Sequence, residues 1–193
     1  IGERIVQYKQ LVIGAKEKIA AYGSSVIQTD KTYLTHCHAT TVTNAMLSAY
    51  RNGKRFGVIA TETRPLMQGR ITAQELLNGG MTDVTLIIDS ETASVLTDPN
   101  HNVSAVFIGA DLLSLQGFVN KIGSLSIVLS ARTNHIPVYC FSTLLKYDPR
   151  PYSLAMIEHR DTKEIWNDAP KELKINAPAF DFIPYDEHIR IIC

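Results

Sequence analysis

The chain has 193 residues, 45% of them hydrophobic and 20% charged, and its 19 basic residues balance 19 acidic ones. That composition supports a globular domain with one sizeable core. The even charge leaves neither a basic footprint for nucleic acid nor an acidic tail, and the longest apolar runs are far too short to span a membrane. Cys37, Cys140 and Cys193 are widely spaced. They show neither zinc spacing nor a disulfide framework, and with no signal-peptide pattern the expected compartment is a reducing cytoplasm.

Ile1, Ile5, Tyr8, Val12, Ala15 and Ile19 recur at spacings of three and four, which predicts one helix over 1–22 with Gly23 placed to end it. The chain opens on Ile1 inside this pattern and stops at Cys193 just after Ile191-Ile192, as a domain of a longer protein would. Tyr33-Leu34 reads as a short extended segment. After it, Leu34-Thr35-His36-Cys37-His38-Ala39-Thr40-Thr41 turns into a helix whose buried face is Val42, Ala45, Met46, Ala49 and Tyr50. Such a turn leaves backbone N–H groups and a helix dipole facing outward, which suits an anion and stabilises a thiolate at Cys37. The plainer alternative is that Thr40 or Thr41 caps a helix and Cys37 is a small buried hydrophobe.

Gly53 breaks the chain, Phe56–Thr61 reads as a buried strand, and Glu62-Thr63-Arg64-Pro65 is a proline-stiffened loop. Thr72-Ala73-Gln74-Glu75 has a capping-box pattern, and Gly79-Gly80 closes the short helix it opens. The alternation continues with a strand at Val84–Ile88, a helix at Ser90–Leu96, a strand at Val103–Ile108, a helix at Ser124–Asn134 and a strand at Ile136–Phe141. Leu154–Ile157 reads as a late short strand, Asp161–Glu164 as one capped turn, Asn176–Pro184 as a loop and the last residues as helical. Strands and helices alternating in this way predict an α/β fold, a mostly parallel sheet with helices on both faces. Ligands bind such sheets at the carboxyl ends of the strands. There Cys37, Glu62, Arg64, Asp89, Asp111 and Ser142 are expected to converge on one rim.

Asp111 follows an apolar strand directly, so partial desolvation would raise its pKa and fit it for proton transfer; the alternative is an Asp that caps a turn. Asn120-Lys121-Ile122-Gly123-Ser124 precedes a helix and could hold a phosphate, or be a solvated lysine beside a cap. Arg64 could hold a phosphate or pair with Glu62. His36 and His38 flank Cys37, and a metal pair there has no obvious third ligand. There is no Gly-x-Gly-x-x-Gly dinucleotide motif and no serine-hydrolase elbow.

Taken together, Thr35-His36-Cys37, Glu62-Thr63-Arg64-Pro65 with Gln68-Gly69, Gly109-Ala110-Asp111 and Asn120-Lys121-Ile122-Gly123 resemble one family in order and spacing. It comprises the translation initiation factor 2B regulatory subunits, methylthioribose-1-phosphate isomerase and ribose-1,5-bisphosphate isomerase. The likeness runs on through Lys146-Tyr147, Ile157–Asp161 and Asn176–Asp181. It implies a Rossmann-like domain over 24–193, joined by a linking helix over 1–23 to a helical N-terminal domain that is not in this chain. It also implies a cytoplasmic homodimer or ring of dimers, with no nucleic acid or membrane partner and no metal or organic cofactor. Cys37 and Asp111 match the catalytic pair of the isomerases, which regulatory subunits often lack. His38 after the cysteine and Lys146-Tyr147-Asp148-Pro149 look more like the archaeal ribose-1,5-bisphosphate branch, whereas methylthioribose-phosphate isomerases usually have Asn after the cysteine. By the same resemblance Ala39, Thr40 and Thr41 would contact a phosphate through their backbone. Arg64, Gln68, Asn120 and Lys121 would bind substrate, and Lys146 would reach a second phosphate. The implied reaction is aldose–ketose isomerisation of ribose 1,5-bisphosphate, by proton transfer or a C2-to-C1 hydride shift. The alternative is a non-catalytic regulatory subunit that binds a nucleotide or sugar phosphate in the same cleft. Two departures stand out: the loop from Asp111 to Asn120 is one residue shorter than in the relatives, which bears on where Lys121 stands, and Ser124 replaces a frequent threonine.

Overall fold

The computed structural model describes residues 2–153 and 157–193. Its centre is a six-stranded sheet, every pair of which is parallel. In chain order its strands are β1 (Thr32–Thr35), β2 (Gly57–Thr61), β3 (Val84–Ile87), β4 (Val103–Gly109), β7 (Val138–Phe141) and β9 (Ile189–Ile192), and in space they run β3-β2-β1-β4-β7-β9. The helices are α1 (Gly2–Val26), α2 (Thr40–Arg51), α3 (Gln68–Asn78), α4 (Thr92–Thr97) and α5 (Ser124–Thr133).

The two-residue period of a strand sends alternate side chains to opposite faces, and here both faces are apolar. Tyr33, Val58, Ala105, Phe107 and Phe141 meet Ile19 of α1, Val42, Ala45, Met46 and Ala49 of α2, and Leu76 of α3 on one side. Leu34, Ile59, Val106, Ile108 and Val138 meet Val95 of α4 and Ile127, Val128 and Ala131 of α5 on the other. Phe107 anchors the first layer, with its ring 4.7 Å from that of Tyr33 and 4.9 Å from that of Phe141. This is the expected α/β architecture. Its order reverses beside β1: the chain builds outward through β2 and β3, then returns to lay β4 against the other edge of β1. Ligand crevices form at such reversals.

Several local expectations change. Gly23 lies within α1, which runs on to Val26. A Cβ there would fall 2.3 Å from Phe141 Cε1 and 2.7 Å from Ala45 Cβ, so the glycine lets α1 cross the core. Lys54 Nζ instead caps the end of α1, donating to the carbonyls of Ser24 at 2.7 Å and Ile27 at 2.6 Å. Of the α1 stripe, Ile19 is buried, while Ile5 and Tyr8 are exposed. Thr72 lies inside α3, which begins at Gln68, and its hydroxyl donates to the Cys37 carbonyl at 2.8 Å. The helix expected at Ser90–Leu96 is a 3-10 turn at Asp89–Glu91 followed by α4.

A second, antiparallel sheet was not anticipated. It consists of β5 (Leu112–Leu113), β6 (Gly117–Lys121) and β8 (Phe180–Pro184), so the expected loop over Asn176–Pro184 contains a strand. The last residues, expected as helical, form β9, because Ile189–Ile192 complete the hydrogen bonds of the otherwise open edge of β7. Residues 154–156 of the short strand expected at Leu154–Ile157 lie outside the described residues.

Candidate active site

A cleft of about 460 Å³ opens beyond the carboxyl ends of β1 and β4. β1 delivers Cys37, at the turn before α2. Cys37 itself has φ +67°, and Thr63 of the facing loop has φ +65°. Left-handed backbone at non-glycine residues costs of order 1 kcal/mol each and persists where its surroundings hold it. Here the Cys37 N–H donates to Thr63 Oγ1 at 2.9 Å. The Asp89 carboxylate then fixes the Thr63 loop, accepting the N–H groups of Thr63 and Arg64 at 2.7 Å each. The Cys37 thiol faces Gln68 Oε1 at 3.5 Å. Gln68 is there because the start of α3 lies hard against the end of β2: a Cβ on Gly69 would be 1.6 Å from the Thr61 carbonyl oxygen.

β4 delivers Asp111 to the opposite wall. The Asp111 N–H donates to the Val119 carbonyl at 2.7 Å, which closes the β5–β6 hairpin directly after it. That hairpin turns tightly, with the Ser114 N–H on the Gly117 carbonyl at 2.9 Å, and β6 then carries Asn120 and Lys121 back to the cleft. The shortened loop thus becomes a hairpin that keeps Lys121 in the wall. Lys121 lays its ammonium over the ring of Phe180, 4.8 Å from the centroid. Asn120 is buried and donates from Nδ2 to Ser124 Oγ at 2.8 Å; Ser124 in turn donates to the Lys121 carbonyl at 2.6 Å. Lys146, in the 3-10 turn after β7, donates to the Ala110 carbonyl at 2.6 Å, which brings its charge beside Asp111.

Of the expected site residues, Cys37, Ala39, Thr40, Thr41, Gln68, Asp111, Asn120, Lys121 and Lys146 all line this cleft. Arg64 does not. It is exposed, and its guanidinium donates to the Ile165 carbonyl at 3.3 Å. Glu62 and Asp89 also leave the expected rim, since Glu62 pairs with Arg70 and Asp89 holds the loop. The N-terminus of α5, read as an anion site behind Asn120-Lys121, is already filled: Asp181 accepts the N–H groups of Gly123 at 2.8 Å and Leu125 at 3.0 Å. The N-terminus of α2 is different. Its N-cap is Ala39, with no capping side chain, so Thr40 and Thr41 present their N–H groups to the cleft. His36 and His38 make no metal pair, because β1 ends at Thr35. His36 bonds Thr61 and the Ile122 carbonyl, whereas His38 bonds Thr72 and stands 3.6 Å from Glu75.

Sequence reasoning missed Lys16, which reaches the cleft from α1 together with Tyr8 and Val12. The signal was present: Lys16 follows Val12 by four residues and precedes Ile19 by three, so it interrupts the inward stripe. The charged lining is therefore three lysines, Lys16, Lys121 and Lys146, against one carboxylate, Asp111. None of the three lysines has a carboxylate partner among the described residues.

The electrostatics reverse one expectation. Burial pushes the Cys37 thiol above its ordinary pKa, outweighing the His38 N–H and the Lys121 ammonium that pull it down. The expected lowering of the Cys37 pKa by the start of α2 is therefore outweighed by burial. Asp111 is also raised by desolvation, with Lys146 and then Lys121 opposing. Two protonatable groups thus face one cationic cleft, and both hold their protons more tightly than in water.

The Initiation factor 2 subunit family matches residues 1–193. The chain belongs to this family. Among its members, the ribose 1,5-bisphosphate isomerase of Archaeoglobus fulgidus is 36% identical over 180 residues, which cover 89% of this chain and 55% of the relative. The methylthioribose-1-phosphate isomerase of Heliobacterium modesticaldum is 37% identical over 185 residues, 87% of this chain and 53% of the relative. The crystal structure of translation initiation factor eIF-2B, subunit delta, from A. fulgidus superposes with a TM-score of 0.82 at 32% identity, over 92% of this chain and 56% of that one. The chain thus spans about half the length of the family members it matches.

Proposed function

We propose that this chain carries the catalytic domain of a sugar-phosphate isomerase whose substrate is ribose 1,5-bisphosphate and whose product is ribulose 1,5-bisphosphate. The observation that carries the reading is that Cys37 and Asp111 line one cleft with three lysines that have no carboxylate partner among the described residues and with a helix N-terminus that no side chain caps. The cationic lining suits a ligand with two phosphates, and the two relatives above act on phosphorylated riboses by name.

The closed sugar carries a phosphate on C1, so it cannot open by simple loss of a hydroxyl proton. Cys37, as thiolate, takes the C2 proton. The electron pair forms a C1=C2 double bond while the bond from C1 to the ring oxygen breaks, and Asp111 gives its proton to that oxygen, which becomes the C4 hydroxyl. The intermediate is an enediol phosphate. Cys37 then returns its proton to C1, and Asp111 takes the C2 hydroxyl proton as the ketone forms. Both groups end as they began. Phosphate binding by the lysines and by the start of α2 supplies orientation remote from the reacting carbons.

The test uses the full-length protein, incubated with ribose 1,5-bisphosphate and separately with methylthioribose 1-phosphate, with ketose formation followed by NMR. The expected result is turnover of the bisphosphate that is lost in Cys37→Ala and Asp111→Asn. Turnover of methylthioribose 1-phosphate alone would change the substrate. No turnover of either by folded protein would overturn the enzyme reading in favour of a regulatory subunit that binds a sugar phosphate or nucleotide in this cleft. Unchanged turnover in either variant would remove that residue from the mechanism.

A further inference from the structure

We propose that His36 is a positioning residue: a neutral strut, locked in one tautomer, that sets the Cys37 turn and the Asn120–Lys121 wall at a fixed separation across the cleft. The inference deepens the isomerase reading and rests on it for its kinetic arm.

His36 is 2% exposed, and both of its ring nitrogens are engaged, each by a different wall of the cleft. Nε2 lies 2.9 Å from the Ile122 carbonyl. A carbonyl only accepts, so Nε2 carries the proton. Nδ1 lies 2.6 Å from Thr61 Oγ1, and with the proton on Nε2 it must accept the Thr61 hydroxyl. The Thr63 hydroxyl lies within reach of Thr61 Oγ1 at 3.2 Å, the Thr61 carbonyl at 3.2 Å and Nδ1 itself at 3.5 Å, so it is tied to Thr61 and His36. The Thr63 oxygen in turn receives the Cys37 N–H at 2.9 Å. One chain of donors therefore runs from Cys37 through Thr63 and Thr61 to His36, and on to Ile122. The neutral ring sets the directions of its own two bonds, to Ile122 and to Thr61.

The strut joins parts of the chain that sequence holds far apart. Ile122 directly follows Lys121, and its position fixes the end of β6. The ring also rests on Gly123, where a Cβ would be 3.1 Å from His36 Cε1; Gly123 has φ +100° and caps α5. On the other side the chain ends at two residues in left-handed backbone, Cys37 and Thr63. A second proton on the ring would turn Nδ1 into a donor and remove the acceptor of the Thr61 hydroxyl. Burial, the largest influence on the ring, disfavours that cation.

Two substitutions divide the strut. In His36→Gln the side-chain amide can still donate to the Ile122 carbonyl, but the acceptor for Thr61 is lost. In His36→Asn the amide oxygen can replace Nδ1 as acceptor for Thr61, but it is too short to reach Ile122. Both are made in the full-length protein with Cys193→Ser, which removes the exposed thiol. Three quantities are read: the pH profile of Cys37 alkylation by iodoacetamide, the concentration of inorganic phosphate that half-protects Cys37, and KM against kcat for ribose 1,5-bisphosphate. Thermal melting shows that each variant folds.

The expected result is a double dissociation. His36→Asn raises KM and the half-protecting phosphate concentration at least fivefold, with the alkylation profile in place. His36→Gln moves the alkylation profile and lowers kcat at least fivefold, with phosphate protection within twofold of the parent. If both variants shift all readouts together, in proportion to their loss of melting temperature, His36 is a core residue and the proposal falls. It falls equally if folded variants leave all readouts unchanged. The alkylation and phosphate arms need no turnover, so a protein that lacks isomerase activity still tests the strut.

Discussion

Lys121 is the residue whose loss separates the cleft's chemistry from its fold. It is half-buried in the β6 wall, and its ammonium lies over the Phe180 ring with no carboxylate partner among the described residues. Such a cation–π contact is worth about 0.5–1 kcal/mol to stability, and methionine keeps the aliphatic stem on the ring. Lys121→Met is therefore expected to fold with little change in melting temperature. Its effect on catalysis should be larger. A charge-assisted hydrogen bond to phosphate contributes about 1.5–3 kcal/mol, so kcat/KM for ribose 1,5-bisphosphate should drop roughly 10- to 150-fold. The pH profile should move as well. Lys121 holds down both the Cys37 thiol and the Asp111 carboxyl; without it both pKa values rise. The reactive arrangement, thiolate with carboxylic acid, carries one proton on the pair. Activity is therefore lost on the acid side as Asp111 and Cys37 both protonate, and on the alkaline side as the last proton leaves. Both limbs should move to higher pH in Lys121→Met, read as kcat/KM by NMR from pH 5 to pH 10. A kcat/KM within twofold of the parent, or an alkaline limb that moves down, would refute the electrostatic account.

Lys16→Met should lower kcat/KM for the bisphosphate by roughly 10-fold or more while leaving both pH limbs in place, since Lys16 is not among the charges acting on Cys37 or Asp111; a limb shift equal to that of Lys121→Met would contradict the geometry. Gly69→Ala should cost about 1–3 kcal/mol, because the new Cβ meets the Thr61 carbonyl rather than a movable side chain. Calorimetry should then show a Tm lower by roughly 2–12 °C. Asp181→Ala removes the acceptor of two N–H groups at the start of α5 and should lower stability in urea by about 0.5–2 kcal/mol.

The parallel core was legible because Val58-Ile59-Ala60 and Val106-Phe107-Ile108 are continuous apolar runs of the kind a sheet buried on both faces requires. β9 and the three strands of the second sheet, β5, β6 and β8, were not. β6 opens on Gly117 and ends in Asn120-Lys121, a poor strand signature, and only its pairing with β5 and β8 makes it one. β9 is four residues with three apolar, too short for periodicity to tell helix from strand; the open edge of β7 decides it. Within the site, spacing found the residues but not their directions. Arg64 sits at a strand's carboxyl end, as expected, yet Asp89 grips its own N–H and turns the loop so that the side chain meets Ile165. Cys37 sits at a helix start, as expected, yet a helix terminus can be read from sequence while the burial that opposes it cannot.

That opposition bears on how the cleft works. An empty cleft with a standing thiolate would expose a reactive nucleophile to any electrophile or oxidant. Here burial holds the proton on Cys37, and the cation that opposes it, Lys121, is one that the proposed phosphorylated sugar would engage. Asp111 is poised in the same sense, since desolvation favours its acid form and Lys146 and Lys121 oppose. A phosphate that draws Lys146 and Lys121 to itself weakens their hold on Asp111, so binding favours the protonated carboxyl, the form that the proposed ring opening requires. For Cys37 the same shift withdraws the help of Lys121 and leaves the His38 N–H as the remaining influence that favours the thiolate. The proposed mechanism therefore requires one proton to pass from Cys37 to Asp111, a transfer that leaves the net charge of the cleft unchanged. Cys37 follows β1 and Asp111 follows β4, neighbouring strands at the point where the sheet order reverses, and so the fold sets both on one cleft.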